Sequence, residues 1–293
     1  MQPAALGARD LKELPIIPLR RPAQAAPPPL VSDAGKRRDG RSLDSLRAVG
    51  LSTGVVSSAT GSAWLEMNHT KVTCSVFGPQ QADGRDYLQS GQLECTVHIA
   101  GFARPQPELQ LPQQQQRRQQ EAEERELASA LGEALSGSIQ LHEYPKSLIS
   151  VHVTILDDDG GALPAAVSCA SVALADASIL MYGLVAACNC AALGDATALD
   201  CTSAELGAAS AGLTLACMPA LDRVTYLREF GAVGFGKLTA SMQLALQGCA
   251  ALHAQMRAAL ESSLEKRAAK EAKASKKRAH AEAAPDAERE AEK

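Results

Sequence analysis

Aromatic residues make up only 3% of this 293-residue chain. A core of that size must then be assembled from Ala, Val, Leu and Ile, which favours close approach of elements through small side chains. The eight cysteines include no Cys-x-x-Cys pair, which removes the usual zinc and dithiol signatures. Cys188-Asn189-Cys190 is the nearest thing to half a metal site. Without a second ligand pair it reads as two small core residues on one strand face. No apolar run approaches the ~18 residues that a membrane span needs, and the sequence contains no signal-peptide h-region, so an intracellular, reducing setting is expected and no membrane partner. Nor is there an excess of basic charge. The net charge of -4 excludes broad electrostatic capture of nucleic acid and leaves only local patches for RNA.

What is present is patterned. Val151, Val153 and Ile155 alternate with His152, Thr154 and Leu156, the period-2 signature of a strand. Asp157-Asp158-Asp159-Gly160-Gly161 breaks that pattern, and Pro164–Asp176 follows as a small-residue apolar run expected to be a buried helix. Strand, Gly-rich loop and helix N-terminus together form a geometry able to hold a phosphate. The loop carries no Lys-Ser/Thr, so it is not a nucleotide P-loop.

Around this centre the chain divides into three regions. Residues 1–38 are Pro-rich and expected to be a flexible arm. Residues 39–264 should form one α/β or α+β domain. Strands are expected at Val55–Ser58, Ala63–Met67, Lys71–Phe77, Glu94–Ile99, Met181–Ala192, Leu213–Met218 and Arg223–Arg228, the early ones forming an antiparallel sheet. Residues 104–122 read as a Gln-rich, low-complexity loop, with Arg117-Arg118 as solvated surface. Leu127, Leu131 and Leu135 mark a helix over Glu123–Leu135. Thr197–Gly212 reads as a loop. Gly236–Leu264 reads as a long helix with Leu238, Met242, Leu246, Cys249, Leu252 and Met256 on its buried side. Residues 265–293 form a charged tail, whose Lys276-Lys277-Arg278 is too short a cluster to establish a nuclear import signal.

Several of these stretches together resemble the ribonuclease PH family: Arg38-Asp-Gly-Arg41, Gly61-Ser-Ala-Trp-Leu-Glu66, Thr70-Lys-Val72, Val76-Phe-Gly-Pro79, Tyr144-Pro-Lys-Ser147 and Cys169–Ala177. Gly54–Ala59, Ser168–Ala177 and Cys217–Ala220 are most similar to its eukaryotic exosome ring subunits of the mRNA transport regulator type. The resemblance implies the ribonuclease PH fold (ribosomal protein S5 domain 2-like), with mixed sheets packed against helices. It also implies a six-membered ring of ribonuclease PH-like subunits, S1-domain cap subunits, single-stranded RNA threaded to a separate nuclease, and a place in the nucleus, nucleolus and cytoplasm.

Active members of the family split RNA from its 3′ end with inorganic phosphate. They need cations on the phosphate and a carboxylate-held metal. Here the loop reads Gly160, Gly161, Ala162, Leu163, with Leu163 where the resemblance places the phosphate-gripping arginine. Two further arginines, at the start of the preceding helix, align with Ala122 and Glu123. Asp200 keeps the first metal position and Leu206 stands at the second, and one carboxylate is a poor Mg²⁺ site. The acidic run Asp157–Asp159 would repel phosphate and reads as a solvated turn. The expectation is a chain with no catalytic residues, metal or cofactor, whose candidate RNA-facing cations are Arg85, Arg104 and Arg125, with Lys146 an ordinary surface residue. The alternative is a phosphate-dependent exoribonuclease whose site is rebuilt or shared with a neighbour.

Overall fold

The structure, a computed structural model, describes residues 36–81, 90–103, 113–194 and 196–290, with side chains of the last helix described to Ala269. Its strands run β1 (Val49–Thr53), β2 (Gly61–Met67), β3 (Thr70–Gln81), β4 (Gln92–Ile99), β5 (Ser147–Asp157), β6 (Ala186–Leu193), β7 (Ala196–Leu199), β8 (Ala211–Met218) and β9 (Arg223–Gly231). Its helices are α1 (Gln113–Ser136), α2 (Ala162–Asp176), α3 (Ser203–Ala208) and α4 (Phe235–Glu290). Two sheets form, one in the order β1-β2-β3-β5-β4 and one in the order β7-β6-β8-β9. Helix α2 packs on β2 and β3 of the first sheet and on β6 of the second, so it lies between them.

A helix in that place must be apolar all round. From Ala162 to Leu174 every residue of α2 is buried. Its few hydroxyls serve as backbone partners: Ser168 Oγ accepts the Ala187 amide at 3.1 Å and Ser171 Oγ accepts that of Val185 at 2.8 Å. Small residues let the layers close up. A Cβ on Gly61 would lie 2.2 Å from the Ala177 nitrogen, so β2 meets the end of α2 only through glycine. The buried hydrophobic residues include no Phe, Tyr or Trp among the described residues, as the composition requires.

Several expectations need correction. Val55–Ser58 is not a strand; β1 lies just before it, ending at Thr53. Strand β4 pairs with β5 in parallel, not antiparallel. The connection from β4 to β5 carries α1, and a parallel pair requires such a crossover. That helix starts at Gln113, inside the stretch expected to be a loop, because Gln, Glu, Arg and Ala are all good helix formers. Ala122 and Glu123 therefore sit in mid-helix rather than at its start. Leu131 and Leu135 are fully buried, as the spacing predicts.

The stretch 197–212 is no loop either, for it holds β7 and α3. The signal was Thr202-x-x-Glu205: Thr202 Oγ1 accepts the Glu205 amide while Glu205 Oε2 accepts that of Thr202, a capping box. The Met181–Ala192 strand begins only at Ala186, with Met181 making a lone bridge to Ile139. In α4 the buried line runs through Ser241, Ala245, Cys249, Leu252 and Met256, while Leu246 is 40% exposed. The helix also continues through the expected tail to Glu290. The arm boundary moves as well, since Arg37 is 3% exposed and already part of the folded body.

Candidate functional site: the glycine loop and its arginine clasp

At the end of β5 the chain turns through Gly160 (φ +87) and Gly161 (φ +74), both in the left-handed region, before entering α2. Space as well as angle demands glycine here. A Cβ on Gly160 would fall 2.6 Å from the Ser203 nitrogen, and one on Gly161 would fall 2.9 Å from Arg47 Nη2. The loop is pressed from one side by the start of α3 and from the other by a guanidinium. Ala162 and Leu163 are buried in the core, at 7% and 8% exposure. Leu163 is thus a packing residue of the core.

Asp200 lies 3% exposed between β7 and α3, with φ +52. Its carboxylate is enclosed by Arg47, itself 2% exposed. Arg47 Nη2 donates to Oδ1 at 2.7 Å, Nε donates to both oxygens at 3.0 Å, and the Arg47 amide donates to Oδ2 at 2.8 Å. Arg41 Nη1 stands 3.7 Å from Oδ2. The Asp200 carbonyl accepts from Arg37 at 3.2 Å and from Arg41 at 3.3 Å. Arg47 extends the clasp to the loop: Nη2 reaches the Gly160 carbonyl at 3.0 Å and Nη1 reaches Thr70 Oγ1 at 3.0 Å. Thr70 Oγ1 in turn donates to the Gly160 carbonyl at 3.1 Å. Burial alone would lower the pKa of Arg47, but the hydrogen bonds and charge of Asp200, aided by Asp159 and Asp158, raise it. The guanidinium stays charged, and its partner is already chosen.

Leu206 has an apolar setting. Leu206 packs with Leu43, Leu193 and Ala209 against a small cluster of Ala191, Ala198 and Cys201. Burial first, with Glu205 adding, pushes the Cys201 thiol up to about 12, and burial with Cys201 does the same for Cys190. Neither is a thiolate ligand at neutral pH. Among the described residues no group of three His, Cys, Asp or Glu converges on a metal position. The residues present do not fit Mg²⁺: one carboxylate, both oxygens on arginine, faces no second one. Outside the loop an open cleft of ≈ 250 Å³ is lined by Arg38, Asp39, Asp159, Thr202, Ala204 and Glu205. Three carboxylates in so small a space oppose an incoming phosphate. The acidic run beside it is half-buried rather than free in solvent, and Asp158 Oδ1 caps the Gly160 amide at 3.0 Å.

The structure joins the Gly160 carbonyl and the Asp200 carboxylate through Arg47, a link absent from the sequence reading. Arg37 and Arg47 carry no motif of their own. Only their burial, invisible in a row of letters, separates them from surface arginines. Of the candidate RNA-facing cations, Arg125 is exposed on α1 and pairs with Glu121 at 3.4 Å. Arg85 and Arg104 lie outside the described residues.

With this geometry in hand, comparison with known proteins is informative. A model of the "3' exoribonuclease family, domain 1", RNase PH, matches residues 45–179. An exosome complex component RRP41-like from Arabidopsis thaliana is 35% identical over 228 residues, covering 78% of this chain and 85% of the relative. The chain belongs to the RNase PH family. Exosome complex component MTR3 from Homo sapiens is 36% identical over 260 residues, covering 83% of this chain and 93% of that one. The fold agrees with solved RNase PH structures. Rice (Oryza sativa) Rrp46 superposes with a TM-score of 0.65 at 22% identity, covering 76% of this chain and 100% of that one. An Archaeoglobus fulgidus exosome chain, solved with RNA bound to the active site, gives 0.64 at 20% identity, covering 76% and 93%. In this RNase PH chain the Gly160 carbonyl and the Asp200 carboxylate are both held by Arg47.

Proposed function

We propose that this chain is a non-catalytic structural and RNA-path subunit of an exosome ring. In this reading it pairs with other RNase PH-like subunits in a six-membered ring beneath S1-domain caps. It helps thread single-stranded RNA to a separate nuclease for 3′-to-5′ processing and decay, including rRNA processing and mRNA turnover, in the nucleus, nucleolus and cytoplasm. The relatives named as exosome components support the assembly. One observation carries the rest: both oxygens of the Asp200 carboxylate are engaged by Arg47, while at Leu163, where the family resemblance implies a phosphate-binding cation, the side chain is buried in the core. Phosphorolysis draws on electrostatic stabilisation that is commonly the largest catalytic term; in this reading the Asp200 carboxylate is spent on folding and Leu163 offers no charge.

The test is nucleoside diphosphate release from labelled single-stranded RNA, with Mg²⁺ and inorganic phosphate, by the full chain and by its co-expressed ring. The reading expects no release from the chain and, on Asp200→Asn, an unchanged rate per assembled ring, with assembly measured by size-exclusion chromatography because the change weakens a buried ion pair. Release that depends on Asp200 would replace it with a phosphorolytic exoribonuclease using a rebuilt or shared site.

A further inference from the structure

Strand β9 ends at Gly231, and α4 begins at Phe235. The connection reads Gly231-Ala-Val-Gly-Phe-Gly-Lys237, a G-x-x-x-x-G-K run between a strand and a helix. Loops that cradle a phosphate with backbone amides and a lysine share that spacing. Leu238 follows where such loops place Ser or Thr, so the hydroxyl that would hold Mg²⁺ is missing. The run suits a phosphate that arrives without a metal.

The structure opens a cleft at this point. Its volume is ≈ 460 Å³, and its lining includes Gly194, Ser210, Gly234, Phe235, Gly236 and Lys237. Sites for small organic ligands occupy about 300–1,000 Å³. Gly194 stands at the turn between β6 and β7, and Asp200 follows the other end of β7. The four residues of that strand span about 13 Å, so the cleft is separate from the arginine clasp.

Two glycines of the run have no structural reason to be glycine. Gly234 and Gly236 lack a positive φ, and a Cβ on either would meet nothing within 4 Å. Gly236 also lies in the first turn of α4, where alanine would favour the helix. What a side chain there would fill is the cleft itself. Phe235, between them, is 84% exposed, the most exposed large hydrophobic side chain among the described residues. Lys237 Nζ donates to the Gly194 carbonyl at 3.4 Å, which holds the ammonium across the cleft. Among the described lining residues none is acidic, Asp195 lying outside them. The cleft beside the glycine loop, with its carboxylates, is the opposite case.

We propose that this cleft binds a nucleotide unit, with its phosphate at Lys237 and the glycine backbone and its base stacked on Phe235. A free nucleoside monophosphate and one unit of an RNA strand share that chemistry. An aromatic face accepts any base, and a lysine ammonium offers phosphate a point charge without sequence preference. Gly234 and Gly236 let the ligand approach the backbone closely. Only the RNA form of the proposal rests on the reading of the chain as an RNA-path subunit.

The experiment uses the full chain, alone and in its co-expressed ring, with two probes. AMP is followed by calorimetry, and a labelled oligoadenylate by fluorescence anisotropy across a salt series. Phe235→Ala should weaken either probe about tenfold. Lys237→Gln should weaken both and lower the oligonucleotide's slope of log K against log salt by about 0.7. Gly236→Leu fills the cleft from a position with no neighbour to displace, and it should abolish binding. Circular dichroism and thermal unfolding check that each variant keeps the fold. AMP bound without the oligonucleotide assigns the site to free nucleotide, and the reverse assigns it to the strand. Neither probe binding to the parent chain, or affinity unchanged in Gly236→Leu, overturns the proposal. Loss of ring assembly in Phe235→Ala with nucleotide affinity intact overturns it in favour of a protein contact. A chain that binds nucleotide in this cleft but enters no ring keeps the site and removes the ring assignment. A ring subunit that binds neither probe does the reverse.

Discussion

Asp200 and the arginines around it form a buried ionic cluster, and such clusters are asymmetric in their energetics. Replacing a whole pair with apolar groups can cost little, whereas removing one partner strands the other. Arg47→Ala should therefore destabilise the chain by about 3–5 kcal/mol, read by urea denaturation. The double variant R47M/D200L should cost much less than the sum of its single changes. Simple additivity in that cycle would mean that the two residues are not coupled. The same cluster bears on attempts to rebuild a catalytic site. Leu163→Arg with Leu206→Asp supplies the two residue types that the family resemblance implies at those positions. It should still give no nucleoside diphosphate release, because Asp200 remains bound to Arg47 and the new arginine enters at a position only 8% exposed. Recovered phosphorolysis in that variant would show that the clasp opens readily.

Helix α3 shows how a short element is specified. With six residues it cannot be stable by propensity alone, and its first turn depends on the capping box. Thr202→Ala should cost about 1 kcal/mol in a denaturation series. It should also loosen Glu205, whose carboxylate both caps Thr202 and lies 3.5 Å from the buried guanidinium of Arg37. The box was legible as Thr-x-x-Glu, yet the residues after it lack a long apolar period, so the segment reads as a loop. Helix α1 was hidden for a different reason. A Gln-rich run has no hydrophobic stripe to reveal a period, and its helicity depends on neighbours. Gln120 Nε2 donates to the Ile99 carbonyl at 2.7 Å, while Glu124 Oε1 accepts the Ile99 amide at 2.9 Å. Those two side chains close the free end of β4, an edge strand whose backbone groups would otherwise be open.

For the whole molecule the decisive contacts join distant parts of the chain. Asp176 receives the Ser62 amide at 3.1 Å and the guanidinium of Arg267, so one carboxylate ties β2, the end of α2 and the C-terminal helix together. Arg267 is about half exposed, and its loss should cost no more than ~1 kcal/mol. Asp176→Ala should cost more than Arg267→Ala, because it also leaves a part-buried amide without its acceptor. Thermal unfolding of the two variants and their combination checks the order. Equal effects would mean that the Ser62 bond contributes nothing. The C-terminal segment is thus held at its start by the folded body before it projects.

The sequence alone determined the strand–glycine loop–helix centre, the aliphatic core, most strands and the family, because each rests on local periodicity or on the order of short motifs. It also put Leu163 and Leu206 where the family resemblance implies an arginine and an aspartate. Only the tertiary structure decided what the remaining ones do. Asp200 is a structural anion because Arg47, 153 positions away in sequence, folds onto it. The glycines at 160 and 161 are required by the packing of Ser203 and Arg47 against them, which no local pattern encodes. Partner choice among buried charges is a property of the assembled chain, since it is set by which groups lose water together.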